Sequence, residues 1–198
     1  MVTVGFVVEG ASEAILIKSP SFRTWLEKAC RLELLEPVVD TGGKGEMCST
    51  KITSYVNKLR IQAQPEKLVV LADLDPEVCA PCISVRKEII GTENIDLVVI
   101  ARKALESWFL ADTKAMRKWL RDGSYFEELP EETDGMPWER LRMLGKSSSS
   151  QRGPGRKVPF ARKFIHRCGF EVQEAATHEN CPSASYFVDK LKLLGETV

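Results

Sequence analysis

Two aspartates, Asp73 and Asp75, stand one residue apart in the stretch KLVVLADLDPE (67–77), where a run of strand-forming residues ends. Paired carboxylates are the hard oxygen ligands that Mg²⁺ and Mn²⁺ prefer. They are also ordinary turn residues, since Asp followed by Pro commonly starts a turn. Two further acids occupy a comparable place, because Glu9 follows the apolar run VTVGFVV (2–8) and Glu13 comes shortly after it. The positions of the strands therefore decide between a turn and a metal site.

The elements that would position these acids follow an alternating pattern. Short β-branched apolar runs predict strands at 2–8, 32–40, 67–73 and 94–101. Helical spacing predicts helices between them, at 11–30 with a break near Pro20, at 49–63 and at 80–90. This order predicts an α/β fold, with a parallel four-stranded sheet flanked by helices and right-handed crossovers between the strands.

Such a sheet would bring the acids to one place. Ligands of an open parallel sheet bind beyond the carboxyl ends of its strands. If the first and third strands are neighbours, Glu9, Asp73 and Asp75 converge at that edge, with Glu13 on the helix that follows. Residues 73 and 75 are two apart, so in an extended chain they point to the same side. The sequence thus favours a Mg²⁺ or Mn²⁺ site over a plain turn.

From residue 102 onward the pattern becomes mainly helical. We predict a core at 1–101 and a helical and loop extension at 102–198 that packs on it. The extension contains one broken helix or two separate helices at 103–122, helices near 159–167 and 183–194, and a short strand at 170–172. A Ser/Gly/Pro-rich segment at about 145–157 predicts a basic flexible loop.

The formal net charge is zero, but the charge is unevenly distributed. No acidic residue lies between Glu139 and Glu171. That window holds nine basic residues, namely Arg140, Arg142, Lys146, Arg152, Arg156, Lys157, Arg162, Lys163 and Arg167. A neutral chain is not a general polyanion-coating protein, yet this window can present a local positive field to phosphates. Within it, Arg152, Arg156 and Lys157 are candidate contacts to a nucleic-acid backbone.

The glycine-rich stretch TGGKGE (41–46) is a weaker candidate for phosphate binding. Lys44 and the neighbouring backbone N–H groups could contact a phosphate. The P-loop pattern of ATPases is not met, because Gly45 and Glu46 follow the lysine instead of Ser or Thr. A plain turn between a strand and a helix explains the stretch equally well.

The stretches VVEGASE (7–13) and VVLADLDPE (69–77) together resemble the TOPRIM domain, whose pattern is a glutamate after the first strand and Asp-x-Asp after the third. This resemblance covers about residues 1–101. The later stretches ARKALESWFLAD (101–112) and CPSASYF (181–187) are similar to a small single-domain family close to the OLD-type nucleases. They extend the likeness over most of the chain.

The resemblance implies Mg²⁺-dependent hydrolysis of a nucleic-acid phosphodiester. It implies that Asp73 and Asp75 hold a divalent metal ion, Mg²⁺ or Mn²⁺, and that Glu9 is a further ligand or a general acid/base. Glu13 and Glu106 would complete a second metal position of the two-metal kind. A separate ATPase domain of the kind that OLD proteins carry is not recognisable, which makes a partner protein such as an ATPase an expectation.

Two other functions stay open. The first is a non-catalytic, metal-dependent module that binds nucleic acid or nucleotides and acts with a partner. The second is a phosphatase on small phosphate esters, as in haloacid-dehalogenase enzymes, where the first Asp of Asp-x-Asp is a nucleophile. That motif normally continues with Gly-Thr, whereas Pro76 and Glu77 follow here. DNA and RNA are equally open as substrates.

Six cysteines without a secretory signal indicate reduced thiols and a cytoplasmic location. No stretch is apolar for long enough to span a membrane. A structural zinc site is a further alternative, with candidate ligands Cys79, Cys82, His166, Cys168, His178 and Cys181. Their spacing matches no standard zinc motif, and cysteine is often a small buried apolar residue.

Overall fold

The computed structural model describes residues 1–47, 50–75, 82–148 and 153–196, with Lys44 and Thr50 described by their backbone only. Its sheet consists of β1 (Val2–Val8), β2 (Leu32–Leu34), β3 (Val39–Asp40), β4 (Lys67–Asp73) and β5 (Leu97–Ala101). The strand order is β2-β1-β4-β5, β3 also pairs with β1, and every pairing is parallel. The predicted parallel α/β sheet is confirmed, and β1 and β4 are neighbours as the site requires.

The sheet has five strands rather than four because the segment predicted as one strand at 32–40 is divided. Leu35 still donates its N–H to the Val4 carbonyl at 2.9 Å, but the next residues leave the ladder. Pro37 has no N–H to donate to a neighbouring strand. The Glu36 side chain accepts the N–H of Val38 at 3.0 Å. Pairing with β1 resumes at Val39.

Helices cover both faces of the sheet. They are α1 (Ala11–Lys18), α2 (Pro20–Cys30), α3 (Thr50–Ala63), α4 (Ile83–Ile90), α5 (Leu105–Ala111), α6 (Thr113–Leu120), α7 (Pro137–Ser147), α8 (Lys157–Lys163), α9 (Val172–Ala175) and α10 (Pro182–Glu196). The predicted break near Pro20 is confirmed. Ser19 accepts the Phe22 N–H through its hydroxyl, and Pro20 occupies the first turn of α2, where its missing N–H costs nothing.

Alternation along the strands divides the core between the two faces. Phe6, Val69 and Val99 face one side and belong to the same hydrophobic cluster as α1, α2, α5 and α10. Val7, Leu68, Val70, Val98 and Ile100 face the other side and pack with α3 and α4. The extension after residue 101 therefore completes the cluster on the first face. The division at residue 101 itself stays a prediction about domain organisation.

The extension agrees with one sequence expectation and contradicts another. The helical stretch at 103–122 forms two separate helices, one of the two predicted alternatives, because Asp112 caps α6 by accepting the Ala115 N–H at 2.9 Å. The predicted strand at 170–172 is wrong. Asp112 also accepts the N–H of Glu171 at 3.1 Å, which removes a donor from any ladder, and Val172 begins α9.

Of the segment predicted as a loop at about 145–157, residues 145–147 belong to α7 and Lys157 begins α8, while residues 149–152 lie outside the described residues. After α8 the chain continues as a π-helical turn, Phe164–Cys168. In the part of the chain that the structure describes, no helix combines the length and the apolar character needed to cross a membrane.

Candidate functional site

The pairing of β1 with β4 joins Glu9 to Asp73. In this register Val8 stands beside Leu71, and the Glu9 N–H donates to the Leu71 carbonyl at 3.1 Å. The N–H of Asp73 in turn donates to Glu9 Oε2 at 3.1 Å. Glu9 therefore ends one strand and receives a backbone hydrogen bond from the end of the next. The predicted convergence of these two acids at the carboxyl edge is present in the structure.

Asp73 also organises the start of α5. It pairs with Ala101 of β5, and its Oδ1 accepts the N–H of Leu105 at 2.9 Å. The first N–H groups of a helix have no partner inside the helix, so this carboxylate satisfies one of them. The contact brings Glu106, the next residue in the first turn of α5, to the same edge.

Glu13 reaches the edge from the first turn of α1. Gly10 precedes this helix in an extended conformation, and a Cβ atom at Gly10 would lie 3.1 Å from Glu13 Oε2. That spacing is tighter than ordinary van der Waals contact, so the glycine makes room for the folded-back carboxylate. Glu13 is buried, as are Glu9 and Glu106.

Burial and repulsion by neighbouring acids raise the pKa values of Asp73 and Glu13. Burial raises the pKa of Asp73 well above its usual range, and the charges of Glu13, Glu106, Glu9 and Asp75 add to the effect. Burial, together with the charges of Glu106 and Glu9, raises the pKa of Glu13 to about 7. The edge of the sheet therefore concentrates negative charge in a poorly solvated place, and a cation bound there would relieve it.

Two cations offset part of this charge. Arg86 of α4 is buried, and its Nη2 lies 3.2 Å from Glu9 Oε2. Burial raises the pKa of Glu9, against the lowering effects of the Asp73 N–H and of Arg86. Lys157, at the start of α8, places its Nζ 3.3 Å from Glu106 Oε1. Burial lowers the pKa of Lys157, but attraction by Glu106, Asp73 and Asp75 outweighs this, and its pKa is raised.

Asp75 is placed differently from Asp73. The strand ends at Asp73, and Asp75 has a left-handed backbone with φ of 41°, so strand alternation does not extend to it. Its N–H donates to the Lys103 carbonyl at 2.8 Å. The argument that both aspartates point to one side of an extended chain is therefore wrong. Asp75 is nevertheless close enough for its charge to raise the pKa values of Glu9 and Lys157.

The other predicted phosphate contacts are only partly described. Lys157 lies beside the acid cluster, which consists of Glu9, Glu13, Asp73, Asp75 and Glu106. The sequence did not indicate this position for Lys157. The exposed Arg156 directly precedes Lys157 in the chain. Lys44 lies in a short 3₁₀ turn, Lys44–Glu46. Only the backbone of Lys44 is described. Arg152 lies outside the described residues.

The predicted zinc candidates occupy separate environments. Cys82 is exposed beside Ser84, whereas Cys181 is buried and contacts Glu131 through its Sγ at 3.3 Å. His178 Nε2 lies 2.8 Å from the Glu127 carbonyl oxygen. Cys168 is buried, His166 is exposed, and Cys79 lies outside the described residues. Among residues 1–47, 50–75, 82–148 and 153–196, no three His, Cys, Asp or Glu side chains are arranged to hold a metal ion.

The acid cluster nevertheless fits Mg²⁺ or Mn²⁺ in its chemistry. Carboxylate oxygens are the ligands these ions prefer, and burial together with mutual repulsion raises the pKa values of Glu13 and Asp73. The hydrogen bonds described above use Oε2 of Glu9 and Oδ1 of Asp73. Glu9 and Asp73 would help to hold a cation together with the other acids at this edge, although no group of three is already in place among the described side chains.

Sequence reasoning missed Arg86. A signal was present, because Ile83, Arg86 and Ile90 lie three and four residues apart and share the core-facing side of α4. An arginine within an apolar stripe requires a buried carboxylate partner.

Comparison with known proteins gives little beyond the fold. No family model matches the chain, and a search of curated proteins gives no match. Among solved structures, the C-terminal region of the Burkholderia pseudomallei OLD protein is similar, with 16% sequence identity and a TM-score of 0.49 over 96% of this chain and 99% of that one. The TOPRIM assignment stays a prediction, and at this identity no residue role passes from that protein to this chain.

Proposed function

We propose that this protein hydrolyses phosphodiester bonds of nucleic acid with the help of Mg²⁺ or Mn²⁺. One observation carries the proposal. Acids from β1, α1, β4 and α5 lie at the carboxyl edge of one parallel sheet, where Glu13 and Asp73 have raised pKa values. Buried carboxylates that repel one another cost stability. Such a cost is understandable where a divalent cation is to be bound.

In this proposal Glu9, Asp73 and Asp75 hold the metal, and Glu13 and Glu106 supply a second position. When bound, the metal would polarise the phosphate and activate water, in place of a protein nucleophile.

The chain's own groups have separate tasks. Arg86 orients Glu9 and favours its ionised form. The Leu105 N–H orients Asp73. Lys157 presents a positive charge beside Glu106, where it can contact a phosphate oxygen.

The test is a cleavage assay on mixed DNA and RNA with added Mg²⁺ or Mn²⁺. Wild type is compared with Asp73→Asn and with a control, Glu66→Gln. Glu66 is a carboxylate just before the start of the same strand, at the opposite edge of the sheet, where it accepts hydrogen bonds from Thr3. We expect cleavage by wild type and the control, and at least a hundredfold loss in Asp73→Asn. Equal cleavage by all three proteins would refute the assignment of the site.

A second candidate is the non-catalytic module that binds metal and nucleic acid with a partner, such as an ATPase. It is favoured by the structural bonds that Glu9 and Asp73 already make, and by the absence of a ready set of three ligands among the described side chains. Calorimetric titration with Mg²⁺ and with oligonucleotides separates the two candidates. Metal and oligonucleotide binding without cleavage would favour the module. Hydrolysis of a chromogenic phosphate ester alone would favour a phosphatase instead.

A further inference from the structure

A second polar cluster, not used by the proposed chemistry, lies at the start of α10. Glu131 is 1% exposed, and its Oε1 accepts hydrogen bonds from the Ser183 N–H at 2.9 Å, the Ser183 hydroxyl and the Cys181 thiol at 3.3 Å. The Ser183 hydroxyl oxygen accepts two more, from the Trp108 indole N–H at 2.7 Å and from the Arg102 N–H at 3.1 Å. The orientation of Glu131 is therefore set through Oε1 alone.

The other oxygen of Glu131 has no such role. Oε2 is buried and, within the described residues, makes no hydrogen bond. A buried acceptor without a hydrogen-bond partner is destabilising. Capping of α10 explains Oε1 but leaves Oε2 unexplained. In the described part of the chain, no group supplies a hydrogen-bond donor to this atom.

Glu131 contributes to the wall of a cavity of about 560 Å³. The apolar part of the lining includes Leu74, Ile83 and Ile100, and the ring of Tyr186 lies at the rim. Leu74 stands between Asp73 and Asp75 in the chain, so the cavity begins one residue away from the acid cluster. A site of this size, with apolar walls and few polar groups, suits a flat heteroaromatic group.

The rim of the same cavity is positively charged. Lys87 Nζ lies 3.1 Å from the Tyr186 hydroxyl and 4.3 Å from the centre of its ring, and Arg102 also lines the cavity. Cations at the mouth fit a phosphate or sugar-phosphate outside, while the interior fits a base. An apolar ligand would not use these charges, and an inorganic anion would not use the apolar walls.

We propose that this cavity binds an unpaired nucleobase that carries an exocyclic amino group, next to the phosphodiester at the acid cluster. Tyr186 stacks on the base, and Glu131 Oε2 accepts the amino N–H. Cytosine, adenine and guanine offer that donor, whereas thymine and uracil present a carbonyl at the corresponding edge. The inference rests on the proposed nucleic-acid substrate and adds a preference among its bases.

The ionised form of Glu131 is the one that accepts. Burial raises the pKa of Glu131, while the bonds from Ser183 and Cys181 and the charge of Arg102 oppose that rise. Measurements at pH 8 favour the ionised carboxylate more than measurements at lower pH do, and EDTA removes any need for metal or hydrolysis. A negative result in this assay is therefore distinguishable from failure of the proposed hydrolysis.

The experiment compares binding of dCMP and dTMP, and of short oligo-dC and oligo-dT, by calorimetry in EDTA at pH 8. We expect wild type to prefer cytosine about tenfold, the size of one hydrogen bond to a charged acceptor. In Glu131→Gln the amide oxygen keeps the bonds from Ser183 and the amide N–H₂ replaces Oε2. The preference should therefore reverse toward thymine, a result that a purely structural role of Glu131 would not produce.

Two further variants keep the test decisive if Glu131→Gln does not fold. Tyr186→Ala, at the partly exposed rim, should weaken binding of every base about tenfold without changing their order, because it removes stacking alone. Glu132→Gln, an exposed neighbour that pairs with Arg102, is the matched control and should keep the cytosine preference. Equal binding of cytosine and thymine by wild type, or no binding of either, would overturn the inference. Binding of monophosphates without oligonucleotides would support the base site and count against hydrolysis of nucleic acid.

Discussion

Arg86 and Glu9 form an ion pair in the interior of the protein, with Arg86 Nη2 3.2 Å from Glu9 Oε2 and the two side chains 1% and 9% exposed. The pair links α4 to the end of β1. Because Glu9 Oε2 also accepts the Asp73 N–H, Arg86 indirectly fixes the junction of β1 with β4. Arg86 is thus a positioning residue for the acid cluster, as well as part of the core.

Removal of Arg86 alone should be strongly destabilising. Arg86→Met leaves the Glu9 carboxylate buried without its cation, and losing one partner of a buried pair costs about 3–5 kcal/mol. Glu9→Gln should cost less, and the double variant should recover part of the loss. Urea unfolding of the four proteins gives the coupling free energy. If the two single effects simply add, the pair contributes nothing and this interpretation fails.

The charge on Asp73 should reduce stability when metal is absent. Asp73→Asn removes the buried charge whose burial and repulsion by the other acids raise the pKa of Asp73, while the amide oxygen can still accept the Leu105 N–H. Because Asp73 is partly exposed, we expect a gain of only about 1 kcal/mol in EDTA. Asp73→Ala loses the capping bond as well and should be less stable than Asp73→Asn.

Added Mg²⁺ should reverse this order. Thermal unfolding in EDTA and in excess Mg²⁺ gives the comparison, since an ion that binds only the folded state raises the melting temperature. Wild type should gain stability from Mg²⁺ and Asp73→Asn should not. A similar gain for both proteins would show that the ion binds elsewhere.

The sheet and its acids could be predicted from the sequence because the signals are local. Short apolar runs indicate strands, and parallel strands end at one edge, so Glu9 and Asp73 had to meet once β1 and β4 were neighbours. The direction of Asp75 could not be predicted, since it depends on a left-handed residue after the strand. The absence of the strand expected at 170–172 could not be predicted either, because the Glu171 N–H donates to Asp112, which is far away in the chain.

The cations of the site were harder to predict than its acids. Lys157 stood in a basic segment whose other members gave no reason to single it out as the partner of Glu106. That pairing depends on how α8 docks beside α1, a long-range contact that no local pattern specifies. Glu131 was not predicted either, because its two partners, Cys181 and Ser183, lie about fifty residues away in the chain.

Stability without metal should fall as the pH rises, because of Glu13. Its pKa is about 7 in the folded protein against an ordinary value of 4.5, so the folded state holds the proton more tightly than the unfolded state. The contribution of Glu13 to the free energy of unfolding is then greatest below about pH 4.5, and it declines until the pH passes about 7. At 1.36 kcal/mol per pKa unit the decline is at most about 3 kcal/mol.

Glu13→Gln is the variant that isolates this effect. Guanidinium unfolding in EDTA at several values between pH 5 and pH 8 should show a steeper decline for wild type than for the variant. Glu66→Gln serves again as the control, since Glu66 is fully exposed and has a lowered pKa from its bonds to Thr3. Parallel curves for wild type and Glu13→Gln would show that Glu13 does not hold its proton in the folded state.

Lys157 should matter for nucleic acid as well as for folding. Its side chain is 49% exposed, but that of its partner Glu106 is only 5% exposed, so removing the cation leaves a buried carboxylate less compensated. Lys157→Met should therefore lose more stability than the about 0–1 kcal/mol of a surface pair, and it should also bind oligonucleotides less well. If Lys157 contacts one phosphate, the slope of log K against log salt should fall by about 0.7 for single strands.

Lys163→Met is the matched control for that measurement, because Lys163 lies at the other end of the same helix, α8, and is exposed. Lys157→Arg should keep most of the binding, since it keeps the charge. Binding in EDTA across a range of salt concentrations then separates a phosphate contact at the site from a diffuse positive surface. Equal losses in Lys157→Met and Lys163→Met would indicate the diffuse surface, and Lys157 would then serve only to offset the charge of Glu106.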